Sequence, residues 1–588
     1  MKNNNLKDNF VNKIKKAISG KAKDDIERKG PLKIVFVTGG VVSSLGKGIV
    51  ASIAGGLLKT RGLNVKIKKI DPYLNVDPGT LSPIEHGEVF VTDDGAETDL
   101  DLGHYERLGG VKTEKNDYIT SGLIYNTIIQ KERRGDYLGQ TVMVVPHVIK
   151  EFEEAILAGA ENCDVLICEV GGTVGDIESL PILETARQMK QKFEENIIFV
   201  HVALLPFLKK AQEWKTKPIQ HSMRTLLSYG IQPDLLLCRM ERENEENWQQ
   251  KLALLCNMKQ ESILPALDAD SIYHAMINYE HDGVADRICK LLDLPNKKAS
   301  NHLAYIEKFV AKLDNQKLDT IKIAVVGKYT SCKDAYKSLE ESLVHGAIEN
   351  NYHIDIDWID AETLDIKKLD KYDGILVPGG FGQRAIEGKI KAIKFAHENN
   401  IPFFGICFGM QLAIIEALGK TLKGASSSEF GECKHPVIAK MEEWAQDDMI
   451  VKVRSGMGGT MRLGAYPCEL EKGSLAQKIY GQSKIEERHR HRYEVNNHYL
   501  EYFKEAHLKV SGRCSGLVEI IERDDCNFFI AVQFHPELKS SIAKPHPLFV
   551  AFAKAAYEYR HKQNIKEKYK KESSKEQKSS SRKGKTLR

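Results

Sequence analysis

Short apolar runs, each cut off by glycine or proline and followed by residues at helical spacing, recur in two separate stretches, and this alternation most narrows what the chain can fold into. The first run, Lys-Ile-Val-Phe-Val-Thr at 33–38, stops at Gly39-Gly40, and Ile49, Ile53 and Leu57 then share one helical face up to Arg61-Gly62. Runs at 64–70, 164–170 and 234–238 have the apolar, β-branched character of strands buried on both faces of a parallel sheet. A polar stretch at 295–320 follows, with one amphipathic patch (Leu303, Ile306, Phe309, Val310, Leu313). A second alternation then begins, with strand runs at 321–326, 353–359, 374–377 and 401–406. The expected architecture is α/β: a parallel-sheet domain over 33–295, a helical linker over 296–320 and a second α/β domain over 321–560.

With 588 residues, 42% hydrophobic and 28% charged, the chain is too long for one core and too apolar for disorder throughout. No run of about 18 uncharged apolar residues is present to span a bilayer. The net charge of +4 is uneven: residues 562–588 hold eleven Lys/Arg against three Glu, which leaves the rest of the chain acidic. Residues 561–588 therefore read as a basic, disordered tail rather than as the sign of a nucleic-acid-binding body. Residues 1–32 lack the apolar core of a secretory signal and read as an extension with one amphipathic stretch. Eleven scattered cysteines, with no Cys-x-x-Cys pair, point to a reducing, cytoplasmic setting.

In the second domain, Gly405-Ile-Cys-Phe-Gly409 places Cys407 between glycines where a strand turns into a helix, as in a nucleophile elbow. The helix N-terminus favours the thiolate there. His535 and Glu537, two residues apart after the apolar run 528–534, project from one side of an extended segment and suit a base and its orienter. Together they make a Cys407/His535/Glu537 triad. Pro-Gly-Gly-Phe-Gly at 378–382 ends another strand, so the Gly380 N–H, with that of Phe408, is placed to hold an oxyanion.

In the first domain, Gly-Gly-Val-Val-Ser-Ser-Leu-Gly-Lys-Gly at 39–48 lies between strand and helix, where its amides and Lys47 would cradle phosphates. It departs from the usual phosphate-loop spacing, with five residues between Gly40 and Gly46, and Gly48 stands where a magnesium-binding hydroxyl is expected. Glu169, at the end of an apolar strand, and Asp101, in an acidic run, supply oxygen for Mg²⁺ instead.

Val-Pro-Gly-Gly-Phe-Gly, Gly-Ile-Cys-Phe-Gly-Met-Gln and Phe-His-Pro-Glu resemble the class I glutamine amidotransferase domain, which releases ammonia from glutamine. That resemblance places glutamine contacts at Gly380, Phe408, Gly409, Met410, Gln411, Glu429 and Arg492. Over about 33–555 the phosphate loop, Lys-Ile-Asp-Pro-Tyr at 69–73, His-Gly-Glu-Val-Phe at 86–90, Gly-His-Tyr-Glu-Arg at 103–107, Glu-Val-Gly-Gly-Thr-Val-Gly-Asp-Ile-Glu-Ser at 169–179 and Lys-Thr-Lys-Pro-Ile-Gln-His-Ser at 215–222 resemble the CTP synthase family. The implied fold is a P-loop-like synthetase domain followed by a glutamine amidotransferase domain. The implied reaction, the last step of de novo CTP synthesis, is ATP-dependent phosphorylation of the 4-oxygen of UTP, then displacement of the phosphate by ammonia.

The same resemblance implies catalytic roles for Lys47 and Lys69 and ATP contacts at Ser44, Leu45, Gly46, Lys47, Gly48, Ile49 and Asp101. It implies Mg²⁺ at Asp101 and Glu169, and UTP or inhibitory CTP at Ser43, Asp176, Ile177, Glu178, Lys215, Thr216, Lys217, Pro218, Ile219, Gln220 and Lys251. An ammonia gate falls on Pro83, His86 and Val89. Dimers that become tetramers, and activation by GTP, are also implied. The GTP-associated stretch 382–388 carries Ala385 where the family usually has glycine. Competing readings are an amidotransferase-coupled ligase with another acceptor and a nucleotide-binding scaffold without turnover. Intact Cys407, His535, Glu537, Lys47, Asp101 and Glu169 weigh against the scaffold.

Overall fold

The computed structural model describes residues 30–583 apart from 44, 244–246, 298–301, 331, 381 and 441–460; the expected extension at 1–32 falls almost entirely outside them, as does Ser44. The chain forms two compact units: one takes in the chain up to Leu81 and Ala96–Ala311, the other Ser82–Gly95 and the chain from Lys312 onward. No helix among the described residues is long and apolar enough to cross a membrane.

In the first unit the strands of the main sheet are β1 (Lys33–Gly40), β2 (Val65–Asp71), β3 (Tyr118–Thr120), β4 (Val165–Val170), β5 (Ile197–Leu204), β6 (Leu235–Met240) and β7 (Ile263–Leu267). They make one parallel sheet in the order β7-β6-β5-β1-β4-β2-β3. β4 and nearly all of β1 and β5 are buried, as the unbroken apolar runs predict for a sheet covered by helices on both faces. The chain leaves β1 for α1 (Lys47–Thr60), and β4 and β5 lie on either side of β1. That branching opens a crevice at the carboxyl ends of the strands, where α/β sheets bind ligands.

The second unit holds β8 (Thr320–Gly327), β9 (His353–Asp360), β10 (Gly374–Val377), β11 (Phe403–Ile406), β12 (Arg462–Leu470), β13 (Lys484–His491), β14 (Leu508–Cys514), β15 (Leu517–Arg523) and β16 (Phe529–Val532). Their order is β9-β8-β10-β11-β16-β15-β14-β12-β13. The first five strands run parallel and the rest pair antiparallel. Two buried apolar clusters cover the sheet, one including Phe403, Met410 and Phe529, the other Phe404, Phe549 and Phe552.

Three expected boundaries shift. The linker is not a separate body: helix His302–Leu313 occupies much of it, and Phe309 packs edge-on against Tyr273 in the first unit, 4.8 Å between ring centres. The last helix, α5 (Pro547–Lys583), crosses the expected boundary at 560 and runs through most of the stretch expected to be disordered. It is anchored by buried Leu548, Phe549, Phe552 and Ala556, and its later Lys, Glu and Gln residues are good helix formers that let the helix propagate.

Ser82–Gly95, expected within the first domain, folds with the second unit. The Glu88 carboxylate accepts the backbone N–H of Ser338 at 2.9 Å and its hydroxyl, and the Arg488 guanidinium donates to Asp93 at 2.7 Å. These bonds join residues about 250 and 395 positions apart, so no local pattern announces them.

Between β10 and β11 lies α3 (Ile386–Glu398), and Ala385 caps it with φ 67°, a left-handed conformation that a Cβ disfavours. Replacing Ala385 with Gly is expected to stabilise the second unit by roughly 0.5–1 kcal/mol, read as an increase in the midpoint of its denaturant unfolding.

Candidate functional site

The register of β10, β11 and β16 brings their carboxyl ends together: Val377 pairs with Gly405, and Gly405 with Ala531. β11 runs directly into Cys407, which has φ 51° and ψ −103° and caps α4 (Phe408–Leu418). This strained turn places the thiol at the helix N-terminus. It fits only because its flanks have no side chain. A Cβ on Gly409 would lie 2.1 Å from the Val377 carbonyl oxygen, and one on Gly405 would lie 2.9 Å from Cβ of Ala531.

β16 delivers His535, whose backbone N–H donates to the Arg488 carbonyl at 2.7 Å. Its Nδ1 lies 2.7 Å from Oε1 of Glu537. Nε2 is buried and lies within reach of the Cys407 sulfur. Burial alone would lower the basicity of this imidazole, but Glu537 and the Cys407 sulfur outweigh it and raise its pKa to about 10. Gly379 separates the partners closely, since a Cβ there would come 2.9 Å from Cε1 of His535 and 3.7 Å from Cβ of Cys407.

Other residues expected around glutamine divide by position. Glu429 reaches the glycine loop, accepting the Gly382 N–H at 2.6 Å, and burial raises its pKa against the pull of Gly382, Lys328 and Arg492. Met410 is buried in the core, and the Gln411 amide donates to the Tyr493 carbonyl at 2.9 Å and to Gln533 at 3.2 Å. Those two side chains secure the elbow from below. Gln533 also points its amide at the Cys407 sulfur, 3.7 Å away. Residues 385–388, with Gln383, Lys391, Ala361, Glu362, Leu364 and Phe430, line a cavity of about 520 Å³. Pro83 and His86 lie on the one-turn helix Pro83–His86 of the second unit, with Val89 just beyond it.

In the first unit the loop after β1 meets α1 at Gly46, with φ 84° and no side-chain cap, which leaves the first amides of the helix to a ligand. Lys47 Nζ donates to the Gly172 carbonyl at 2.6 Å, in the loop after β4. Burial lowers the pKa of Lys47 despite nearby Glu169, Asp101 and Asp71. Gly39 and Gly48 admit no side chain: a Cβ on the first would lie 2.7 Å from the Lys47 stem, and on the second 2.0 Å from Asp101.

Lys69 and Glu169 sit side by side in register on β2 and β4. Lys69 Nζ bonds Asp101 and, at 3.0 Å, Glu169, while Asp71 and Asp99 stand at 3.7 and 3.8 Å. Tyr105 donates to the other Glu169 oxygen. Burial and neighbouring carboxylates push Asp99 well above the usual range and Glu169 to about 6, whereas Lys69 and His104 hold Asp101 low against its burial. Four carboxylates gathered around Lys69, with Lys47 also near, offer a set of oxygen ligands of the kind a hard divalent cation takes. The sequence reading named Asp101 and Glu169 but left out Asp71, Asp99 and Tyr105 as members of this cluster. Lys69 and Asp71, two apart on one strand face, were the available signal.

The residues expected around UTP are only partly gathered. Asp176 accepts the Thr173 N–H at 2.7 Å beside Gly172. Thr216 caps α2 (Lys217–Ser228) and takes a bond from Gln220 at 2.9 Å, and Pro218 stands in the first turn of that helix. Ile219 is in the core, whereas Ser43, Ile177, Glu178 and Lys217 are exposed or nearly so and Lys215 pairs with Glu213. Ser222, on the same helix, bonds Nε2 of buried His201 at 2.7 Å, and His201 Nδ1 meets the Thr38 hydroxyl at 2.9 Å. Lys251 is exposed on helix Trp248–Cys256.

Residues 33–294 match the family model described as CTP synthase N-terminus, and residues 331–555 that of glutamine amidotransferase class-I. A CTP synthase of Paramagnetospirillum magneticum is 50% identical over 537 residues, covering 89% of this chain and 98% of that protein. One of Rhodospirillum centenum is 51% identical over 537 residues, covering 90% and 99%. A solved Trypanosoma brucei CTPS glutaminase domain with bound acivicin is 38% identical, covering 40% of this chain and 94% of that one, with a TM-score of 0.38.

Replacing Glu537 with Gln is expected to lower the pKa of His535 below about 10 and to cut kcat for glutamine hydrolysis by about 10²–10⁴, read from ammonia release and from the imidazole NMR titration. Because the folded pKa is raised, the stability it adds is complete below about 6.5 and lost as pH rises through about 10. The variant should lose that contribution across the same window.

Proposed function

The chain belongs to the CTP synthase family, and on that premise we propose that its two units make CTP from UTP, ATP and glutamine, the second unit releasing ammonia and the first transferring it. The observation that carries this reading is the elbow cysteine beside a His535–Glu537 pair at 2.7 Å, on the same chain as a phosphate loop closed by Lys47 on Gly172.

In the second unit His535 takes the Cys407 proton, and the sulfur attacks the side-chain amide carbon of glutamine. A C–S bond forms, and the carbonyl electron pair moves to oxygen, held by the N–H groups of Gly380 and Phe408. His535 then protonates the amide nitrogen, the C–N bond breaks and ammonia leaves a thioester. Water attacks the thioester, giving its proton to His535, and the C–S bond breaks to release glutamate. Glu537 holds the imidazole so that Nε2 faces the sulfur throughout. Glu429 and Arg492 suit the charged ends of the amino acid, and Gly409, Met410 and Gln411 support the hole from the helix turn.

In the first unit the amides of Leu45, Gly46, Lys47, Gly48 and Ile49, with the Lys47 ammonium, bind the ATP phosphates. The γ-phosphoryl passes to the UTP 4-oxygen as its bond to ADP breaks. Ammonia adds at C4, phosphate departs and a proton is lost to give CTP. Lys69 faces the developing phosphoryl charge and stays protonated, its pKa raised by the four carboxylates despite burial. Asp101 and Glu169 would hold Mg²⁺, which when bound neutralises charge on the phosphates. Asp176, Ile177, Glu178 and residues 215–220 bind UTP or inhibitory CTP, with Lys251 reaching the triphosphate from its own helix.

Pro83, His86 and Val89 belong to the path for ammonia. GTP acts as activator at the cavity beside Ala385, and the enzyme works as a homotetramer in the cytoplasm. The acidic cluster around Lys69 supports the metal assignment; the cavity of about 520 Å³ supports the activator site.

Replacing Cys407 with Ala is expected to abolish CTP formation from glutamine while sparing that from ammonium chloride, whereas Lys47→Met should abolish both. CTP is followed by absorbance with UTP, ATP and Mg²⁺ present. Glutamine-dependent synthesis by the Cys407 variant would overturn the reading.

A further inference from the structure

Lys389, on α3, is completely buried, and its Nζ has no hydrogen-bond partner. It lies 5.1 Å from the centre of the Phe408 ring and 3.6 Å from the point a Cβ would occupy on Gly380. The ammonium therefore stands behind the two residues whose N–H groups form the oxyanion hole. Two other charged or ionisable groups act on it. Lys328, just past β8, has its Cε 3.9 Å from the same Gly380 point, and Cys407 stands at the elbow within electrostatic reach. A fully buried ammonium without an anion is costly, so a site that keeps one is suited to an anion that forms during the reaction.

We propose that Lys389 is a positioning residue for glutamine hydrolysis, its ammonium acting through Gly380 and Phe408 as the counter-charge to negative charge on the Cys407 sulfur and then on the oxygen of the intermediate. The inference rests on the glutaminase reading above. In the free site, burial and the like charge of Lys328 bring the pKa of this amine down to about 7, with Cys407 opposing them. Lys389 thus supports the anion most below neutral pH and binds a proton from solvent when negative charge forms beside it. A purely structural role predicts otherwise: methionine, with a similar stem, would fill the same space without consequence.

The test uses the full-length enzyme and two readouts, glutamine hydrolysis and the rate of Cys407 alkylation by iodoacetamide. Lys389→Met is expected to lower kcat for glutamine about tenfold, less than loss of a direct oxyanion donor, with KM changed less than twofold. Alkylation should slow several-fold more at pH 6 than at pH 8. Lys328→Met keeps the buried amine and removes its like-charged neighbour. It should extend the lysine-assisted alkylation expected at pH 6 toward pH 8, and so decides the matter even if Lys389→Met fails to fold. Wild-type kcat and an unchanged alkylation profile in Lys389→Met, or no shift of the profile in Lys328→Met, would overturn the proposal. Failure of the wild-type enzyme to release ammonia from glutamine would instead overturn the glutaminase reading, and the alkylation profiles remain readable in that case.

Discussion

Parallel strand pairing is the constraint on which both sites depend. It sends neighbouring strands out of the sheet at the same edge, so residues at their carboxyl ends become neighbours whatever their distance in sequence. In the first unit this sets Lys69 beside Glu169 and puts the loop after β1 against the loop after β4, where Lys47 reaches Gly172. In the second unit the same pairing aligns Val377, Gly405 and Ala531, and the next few residues of each strand supply Gly380, Cys407 and His535. Helices α1 and α4 begin at those edges, so the positive N-terminal end of one lies at the glycine loop after β1 and that of the other at the Cys407 sulfur.

The two sites differ in the charged groups they gather. Around Lys69, four carboxylates gather with the Lys69 and Lys47 ammonium groups, and burial, added to by neighbouring carboxylates, holds Asp99 and Glu169 above their ordinary range. Around Gly380, Lys328 and Lys389 stand near the glycine loop, where Glu429 takes the Gly382 N–H, and a strongly basic His535 paired with Glu537 lies on its other side. Glycine is what lets each arrangement close, because a Cβ at Gly39, Gly48, Gly379 or Gly409 would meet the working atoms or the neighbouring backbone.

Coupling of the units begins in the chain itself. Ser82–Gly95 leaves the first unit in sequence and folds on the second, where Asp93 takes a bond from Arg488. Arg488 also donates to the Leu538 carbonyl at 3.2 Å, and its own carbonyl receives the His535 N–H. One arginine thus ties this excursion to the loop that carries His535 and Glu537.

The sequence alone determined the α/β class and the local motifs at the Cys407 elbow, the 378–382 glycines and the 39–48 glycine loop, because each is written in adjacent residues: a strand run, a glycine break, a helix start. It also exposed Ala385 as an odd residue at a position whose left-handed backbone favours glycine. Tertiary structure decided the rest. Asp71, Asp99 and Tyr105 join Asp101 and Glu169 only where β2, β4 and helix Asp101–Arg107 converge, and Lys389 meets Gly380 only when α3 packs behind the elbow. The assignment of Ser82–Gly95 rests on bonds spanning about 250 to 395 residues, and the length of α5 on the burial of its first turns. Local chemistry is legible in local sequence because backbone conformation is set by near neighbours. Charge balance and burial are sums over residues that only the folded chain brings together.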